Sequence, residues 1–175
     1  EMSNAKPQRS TIGLDEERPG LVPGKKWKAT REDKVWHPGE TVNAVIGQGY
    51  MLTTPLQLAT MTARLVNGGH AVKPYLTGVI GNESGAPAME WESLGLKKKH
   101  LDIVRQGMER VVTSQRGTAY GSRILEEGLG MGGKTGTAQV KRITMDERNR
   151  GVKNENLPWK FRHHALFVGY APIEA

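Results

Sequence analysis

The apolar residues of this chain fall into a few short runs whose periods differ, and the periods predict the elements. Leu58, Met61 and Leu65 recur at helical spacing, and Leu56, Ala59 and Ala63 widen their stripe, which predicts an amphipathic helix. Thr54 stands as its N-cap, Pro55 at the first helical position and Gln57 as the capping-box partner. Asn67-Gly68-Gly69, residues that tolerate the left-handed region, ends it. Its wide apolar stripe predicts burial against a sheet. A second helix is predicted from Lys98 to Ser114 on Leu101, Val104, Met108 and Val111, with Gly117 closing it. Its start is weakly capped, because Lys97 to Lys99 oppose the helix dipole. Val72 to Ile80 reads as a strand interrupted by Pro74, hence an edge, and 81–95 reads as a loop. Lys134 to Val140 is β-prone, and the near-continuous apolar run His164 to Ala171 predicts a central strand antiparallel to it.

The first fifty residues lack such periodicity. Pro19-Gly20, Pro23-Gly24 and Pro38-Gly39 each read as a turn, since Pro presets the first turn position and Gly accepts the second. Trp27 and Trp36 between them read as packing anchors for a meander. Residues 1–9 are expected to be a frayed or cloning-derived end.

Composition narrows the possibilities. A chain of 175 residues is of single-domain size, but 22 Gly and 9 Pro predict much irregular structure. There is no cysteine, which excludes disulfides and thiolate metal sites. No apolar stretch approaches the ~20 residues of a membrane-spanning helix. The net charge is +7, and Lys141 to Arg162 holds seven basic residues against Asp146, Glu147 and Glu155, a net +4. A nucleic-acid face would interleave aromatics with such charge, and Trp159 and Phe161 do so only slightly, so a solvated charged loop is the reading preferred.

The candidate chemistry centres on Gly132-Gly133-Lys134-Thr135-Gly136-Thr137-Ala138-Gln139-Val140. From Gly128 to Thr135 it fits the phosphate-binding pattern G-x-x-x-x-G-K-T. That pattern needs a buried strand before the first glycine and a helix starting at Lys-Thr. Here Glu126 and Glu127 precede Gly128, and strand-like residues follow Thr135. The second reading is K-T-G followed by Thr, the third motif of penicillin-binding serine enzymes. It asks for a strand edge carrying an ammonium, a hydroxyl and a glycine that admits a substrate backbone, which this sequence offers. A plain glycine-rich turn feeding a strand is the third. The K-T-G reading is the one adopted.

Other candidates are weaker. Ser3-Asn4-Ala5-Lys6 is the sole S-x-x-K, but Pro7 disfavours a helical Lys6, so Ser3 is not read as a nucleophile. His163 and His164 are strand neighbours that point to opposite faces, and no further ligand pattern accompanies them, so neither a metal nor a cofactor is expected. Glu16-Glu17 and Glu126-Glu127 read as surface charge.

Gly47-Gln48-Gly49-Tyr50, then Thr53-Thr54-Pro55-Leu56-Gln57-Leu58-Ala59, then Lys134 to Val140, then Phe167-Val168-Gly169-Tyr170-Ala171-Pro172 occur in that order. Together they resemble the transpeptidase domain of class B penicillin-binding proteins. Gln48, the Ala138-Gln139-Val140 tail and Glu17-Arg18-Pro19-Gly20-Leu21-Val22-Pro23 resemble the elongation type, penicillin-binding protein 2, more than the division type. The resemblance implies an α/β (α+β) architecture: an antiparallel sheet flanked by helices, as in serine β-lactamases. It also implies that residues 10–175 are a partial transpeptidase domain. The nucleophilic S-x-x-K in its proper setting, an S-x-N or S-x-D, and the family's closing strand and helix are not found.

By the same resemblance, Lys134 would place its charge near the carboxylate of a D-Ala-D-Ala stem peptide or a β-lactam. The Thr135 and Thr137 hydroxyls would bond that ligand, Gly136 would let its backbone lie along the strand, and the Thr137 N–H would be an oxyanion donor. The implied activity is peptidoglycan D,D-transpeptidation in cell elongation, through an acyl-enzyme on a serine not present in this chain. The implied setting is the periplasmic face of the bacterial inner membrane, through an anchor outside this chain. The implied partners are a SEDS-family glycosyltransferase and the elongation machinery, with no nucleic acid. The alternatives are a non-catalytic fragment or interaction module of the same fold and, more distantly, a nucleotide-binding protein.

Overall fold

The computed structural model describes residues 17–32, 35–76, 79–80, 83–84, 90–141 and 144–173. Ser3, Lys6, Glu16 and the expected frayed end lie outside the described residues. The chain divides into two compact units, 1–106 and 107–175.

In the first unit, the expected meander instead forms helices α1 (Lys25–Glu32) and α2 (Pro38–Val45). Pro38-Gly39 opens α2 rather than turning the chain. Proline at the first helical position forfeits no hydrogen bond, and the Glu40 carboxylate accepts the His37 backbone N–H at 2.7 Å, satisfying an end donor. Lys28 on α1, 3% exposed, donates its ammonium to both Glu40 oxygens at 2.6 and 2.7 Å and to the Val35 carbonyl at 2.8 Å. A buried charge is tolerable only when so paired. At Pro19-Gly20 the backbone neither turns nor bends, but Gly20 does take a positive φ of +65, and a Cβ there would stand 2.6 Å from Gln57 Oε1 and 2.8 Å from the Leu52 carbonyl. Leu21 and Leu52 exchange backbone hydrogen bonds just after it. Trp27 anchors by packing its ring 5.2 Å from that of Tyr50.

Helix α3 (Pro55–Val66) is capped as the sequence predicts. Thr54 Oγ1 accepts the Gln57 N–H, Gln57 Oε1 accepts the Thr54 N–H, and Gly68 and Gly69 follow Asn67 at φ +86 and +83. Its burial against a sheet is not found. Thr62 is its one buried residue, Met61 is 47% exposed, and no described strand lies against it. The loop that follows holds its last turn instead, through Arg64 Nε donating to the Val72 carbonyl at 3.1 Å. That contact helps explain why residues 72–76 of the predicted strand Val72–Ile80 are irregular, while Val79–Ile80 form β1. Val72 gives its carbonyl to a side chain and Pro74 has no N–H to offer a ladder. β1 pairs antiparallel with β2 (Glu83–Ser84), inside the segment read as loop.

Helix α4 (Lys98–Thr113) matches its predicted span and runs from the first unit into the second. Its buried residues are Leu101, Met108 and Val112, whereas Val104 is 41% exposed. The buried stripe therefore steps by four after Met108, to Val112 and not to Val111.

The second unit is built on a two-stranded antiparallel sheet, β3 (Gly132–Ala138) with β4 (His164–Tyr170), in the register Gly132↔Tyr170 through Ala138↔His164. A Cβ at Gly132 would stand 2.6 Å from the Tyr170 ring, and one at Gly133 would stand 2.3 Å from the Phe167 ring. The two glycines exist to admit the aromatics of β4. β4 itself, expected to be central, pairs on one side only among the described residues, with Leu166 and Phe167 39% and 46% exposed. An apolar run announces a face that wants cover without saying what covers it.

The basic segment is not a plain solvated loop either. It contains α5 (Met145–Asn149) and single helical turns at Asn154–Asn156 and Trp159–Phe161. Thr144 and Glu147 form the capping box that starts α5. No helix among the described residues is long and apolar enough to cross a membrane.

Candidate functional site

All four predicted site residues lie on β3, and strand alternation divides them. Lys134 and Gly136 point to one face, Thr135 and Thr137 to the other. The strand thus joins them in sequence without clustering their side chains on one face. The Lys134 side chain turns back along the strand, its ammonium donating to the Thr135 carbonyl at 2.6 Å. That acceptor is neutral, and among the described residues no carboxylate stands within ion-pair distance of Lys134. The charge is held in place and left uncompensated.

Thr135 is tied elsewhere. Its hydroxyl lies 2.8 Å from that of Thr118, in the turn that follows α4. Sequence reasoning missed Thr118: a threonine after a helix-closing Gly117 is an ordinary turn residue, and nothing local shows that it meets Thr135. Gly136 differs from the two glycines before it. A Cβ there would meet only Leu166 Cβ at an ordinary 3.7 Å, so nothing inside the unit requires glycine at this exposed position. An exposed ammonium, two hydroxyls and a bare glycine on a strand that is paired on one side among the described residues can receive a carboxylate and an extended peptide.

The phosphate-loop reading fails here. Thr135 sits mid-strand, so no helix N-terminus is present at Lys134-Thr135 to receive phosphate. His163 acts in support: its Nδ1 accepts the Val140 N–H at 3.3 Å and its backbone N–H donates to Asn154 Oδ1 at 2.7 Å. No metal-binding cluster of histidine or acidic residues occurs among the described residues. Beyond β3, the Lys141 ammonium bonds the Glu147 carboxylate. That bond, with the Thr144 backbone N–H next in weight, lowers the Glu147 carboxyl to about 2. The signal was in the sequence, as Thr144-x-x-Glu147, but the surrounding charge masked it.

Residues 7–175 match the family described as the penicillin binding protein transpeptidase domain. The chain belongs to that family. A peptidoglycan D,D-transpeptidase MrdA of Salmonella typhimurium is 30% identical over 170 residues, which is 93% of this chain and 26% of the relative. Among solved structures, PBP2 of Pseudomonas aeruginosa in complex with WCK 5153 is similar with a TM-score of 0.71 and 37% identity, over 92% of this chain and 32% of that one. PBP2 of Helicobacter pylori in complex with MreC is similar with a TM-score of 0.75 and 29% identity, over 96% of this chain and 28% of that one. The chain spans about a quarter of the length of the curated relative it matches. The mixed helix and antiparallel-strand architecture is accordingly that of a penicillin-binding transpeptidase domain, as the sequence motifs implied.

Proposed function

We propose that this chain is the part of a peptidoglycan D,D-transpeptidase that receives the end of a stem peptide. The observation that carries the reading is the Lys134 ammonium, uncompensated by any described carboxylate, beside a Gly136 that no internal packing requires. A D-Ala-D-Ala terminus, or a β-lactam that mimics it, supplies both the missing carboxylate and a backbone to lie along β3. The Thr135 and Thr137 hydroxyls bond the same ligand from the other face of the strand, and the Thr137 N–H serves as an oxyanion donor. A serine outside these residues attacks the penultimate D-Ala carbonyl. The terminal D-Ala leaves as the free amine, and a neighbouring stem amine then takes the acyl group and regenerates the serine hydroxyl.

The role in elongation follows from the similarity to PBP2 proteins, one of them in complex with MreC. Work at the periplasmic face of the inner membrane, with elongation proteins and a SEDS-family glycosyltransferase, belongs to the same proposal. The second reading, a binding module that does not turn over, fits the chain taken alone, since its sole S-x-x-K is Ser3-Asn4-Ala5-Lys6 followed by Pro7.

The test is acylation by a fluorescent penicillin in the longer protein that carries the serine. Lys134→Ala is expected to lower the second-order rate at least a hundredfold, and Lys134→Arg to stay well below the parent, because a planar fork replaces a point charge. An unchanged rate for folded Lys134→Ala would sink the assignment.

A further inference from the structure

The segment between β3 and β4 carries a second feature that the K-T-G strand does not use. Each of its three acids is matched to a base: Glu147 to Lys141, Asp146 to Arg150 at 2.8 Å, and Glu155 to Lys153 at 3.8 Å. The surplus positive charge of the described segment therefore resides on Arg148, Lys160 and Arg162. Two of these three stand at its aromatic residues. The Arg162 guanidinium lies 5.5 Å from the Trp159 ring, and the Lys160 ammonium 5.0 Å from the Phe161 ring. Trp159 is 83% exposed, a costly placement for the largest apolar side chain of the unit.

The arrangement is also fixed. Arg162 donates Nε to the Leu157 carbonyl at 2.9 Å and Nη2 to the Glu155 carbonyl at 2.7 Å. Both acceptors are neutral, so its charge is pinned in place without being cancelled. The Val140 N–H to His163 Nδ1 bond closes the base of the segment directly beyond β3. A flat indole beside the pinned, uncancelled Arg162, with the Lys160 ammonium at the neighbouring Phe161 ring, suits a ligand that presents rings and carboxylates together. A lipid surface would be met by a broader apolar face than one fully exposed aromatic provides.

We infer that the Trp159–Arg162 turn is a docking surface for an anionic glycopeptide strand, with the indole against a sugar ring and Lys160 and Arg162 on stem-peptide carboxylates. The inference rests on the reading of β3 as the receptor of a stem-peptide end, because it makes the two sites parts of one polymer track.

The probe is soluble un-cross-linked peptidoglycan whose stems end at the third residue, so that no D-Ala-D-Ala is present to engage Lys134. Binding is followed through tryptophan fluorescence and by sedimentation. Trp159→Ala is expected to weaken binding at least fivefold and Lys160→Glu at least threefold, with unchanged circular dichroism because both side chains face solvent. Blocking the stem carboxylates as amides is expected to abolish the Lys160 effect. Lys134→Ala is expected to weaken strands with D-Ala-D-Ala ends more than it weakens this probe. If Lys134→Ala failed on those strands while Trp159→Ala still acted on the shorter ones, the β3 reading alone would fall. The docking surface is overturned if both turn variants bind within twofold of the parent chain, or if anionic phospholipid vesicles or duplex DNA bind as tightly as the strands.

Discussion

The Thr118 and Thr135 hydroxyls meet at 2.8 Å, joining the turn after α4 to the middle of β3. A hydroxyl has one proton to give and two lone pairs. When Thr118 donates to Thr135, the Thr135 proton is free to turn toward an arriving ligand. On the proposed function, Thr118 would thus act as a positioning residue. Thr118→Val is expected to weaken binding of a D-Ala-D-Ala peptide about fivefold, the worth of one hydrogen bond. Thr118→Ser should restore it. Titration calorimetry on both variants checks this, and equal weakening by Ser and Val would point to lost packing instead.

The glycines of β3 should separate cleanly. Gly133→Ala drives a methyl to 2.3 Å from the Phe167 ring and 2.7 Å from the Val168 carbonyl, and is expected to destabilise by about 1–3 kcal/mol. Gly136→Ala meets nothing closer than 3.7 Å and should leave thermal unfolding nearly unchanged while reducing peptide binding. Urea unfolding and ligand titration of the pair measure the two effects independently.

Thr137 offers a test of the backbone role proposed for it. In the longer protein, Thr137→Ala keeps the N–H and should acylate faster than Lys134→Ala does. Thr137→Pro deletes the N–H and is expected to cost about 3 kcal/mol, or roughly a hundredfold in rate. Rates of fluorescent-penicillin acylation decide it: equal rates for Ala and Pro would withdraw the oxyanion donor.

Glu147 makes the β3–β4 segment sensitive to acid. Its carboxyl is held at about 2, against an ordinary 4.5, first by Lys141 and then by the Thr144 N–H. A depressed carboxyl stabilises the folded state fully above its ordinary value. That contribution is lost as the pH falls from about 4.5 through about 2. Glu147→Gln should flatten the pH dependence of stability across that window. Carboxyl carbon shifts followed by NMR give the folded value directly.

The Lys28–Glu40 pair should respond unequally to its two truncations. Glu40→Gln strands a buried ammonium with the Val35 carbonyl as its one full-strength acceptor, whereas Lys28→Met replaces the charge by an apolar chain of similar length. The midpoint of thermal unfolding is expected to fall further for Glu40→Gln. Glu40 is also lowered below its ordinary range, chiefly by Lys28, so the pair weakens in acid.

The sequence by itself determined the features that depend on neighbours a few residues apart. The α3 cap at Thr54–Gln57, the span of α4 and the strand at Lys134 are set by local hydrogen bonding, helical spacing and β propensity. So was the family, because the order of its motifs survives without any coordinates. Tertiary structure decided whatever depends on residues that meet across the chain. Pro38-Gly39 became a helix start once Glu40 closed its cap and met Lys28 twelve residues earlier. Thr118 entered the site because the turn after α4 carries its hydroxyl to Thr135, seventeen residues on. The glycines of β3 divided into two kinds only when Tyr170 and Phe167 were seen against the first pair and nothing against Gly136. Local propensity acts over a few bonds, whereas a close approach between distant residues is a property of the folded backbone, and no pattern of single residues encodes it legibly.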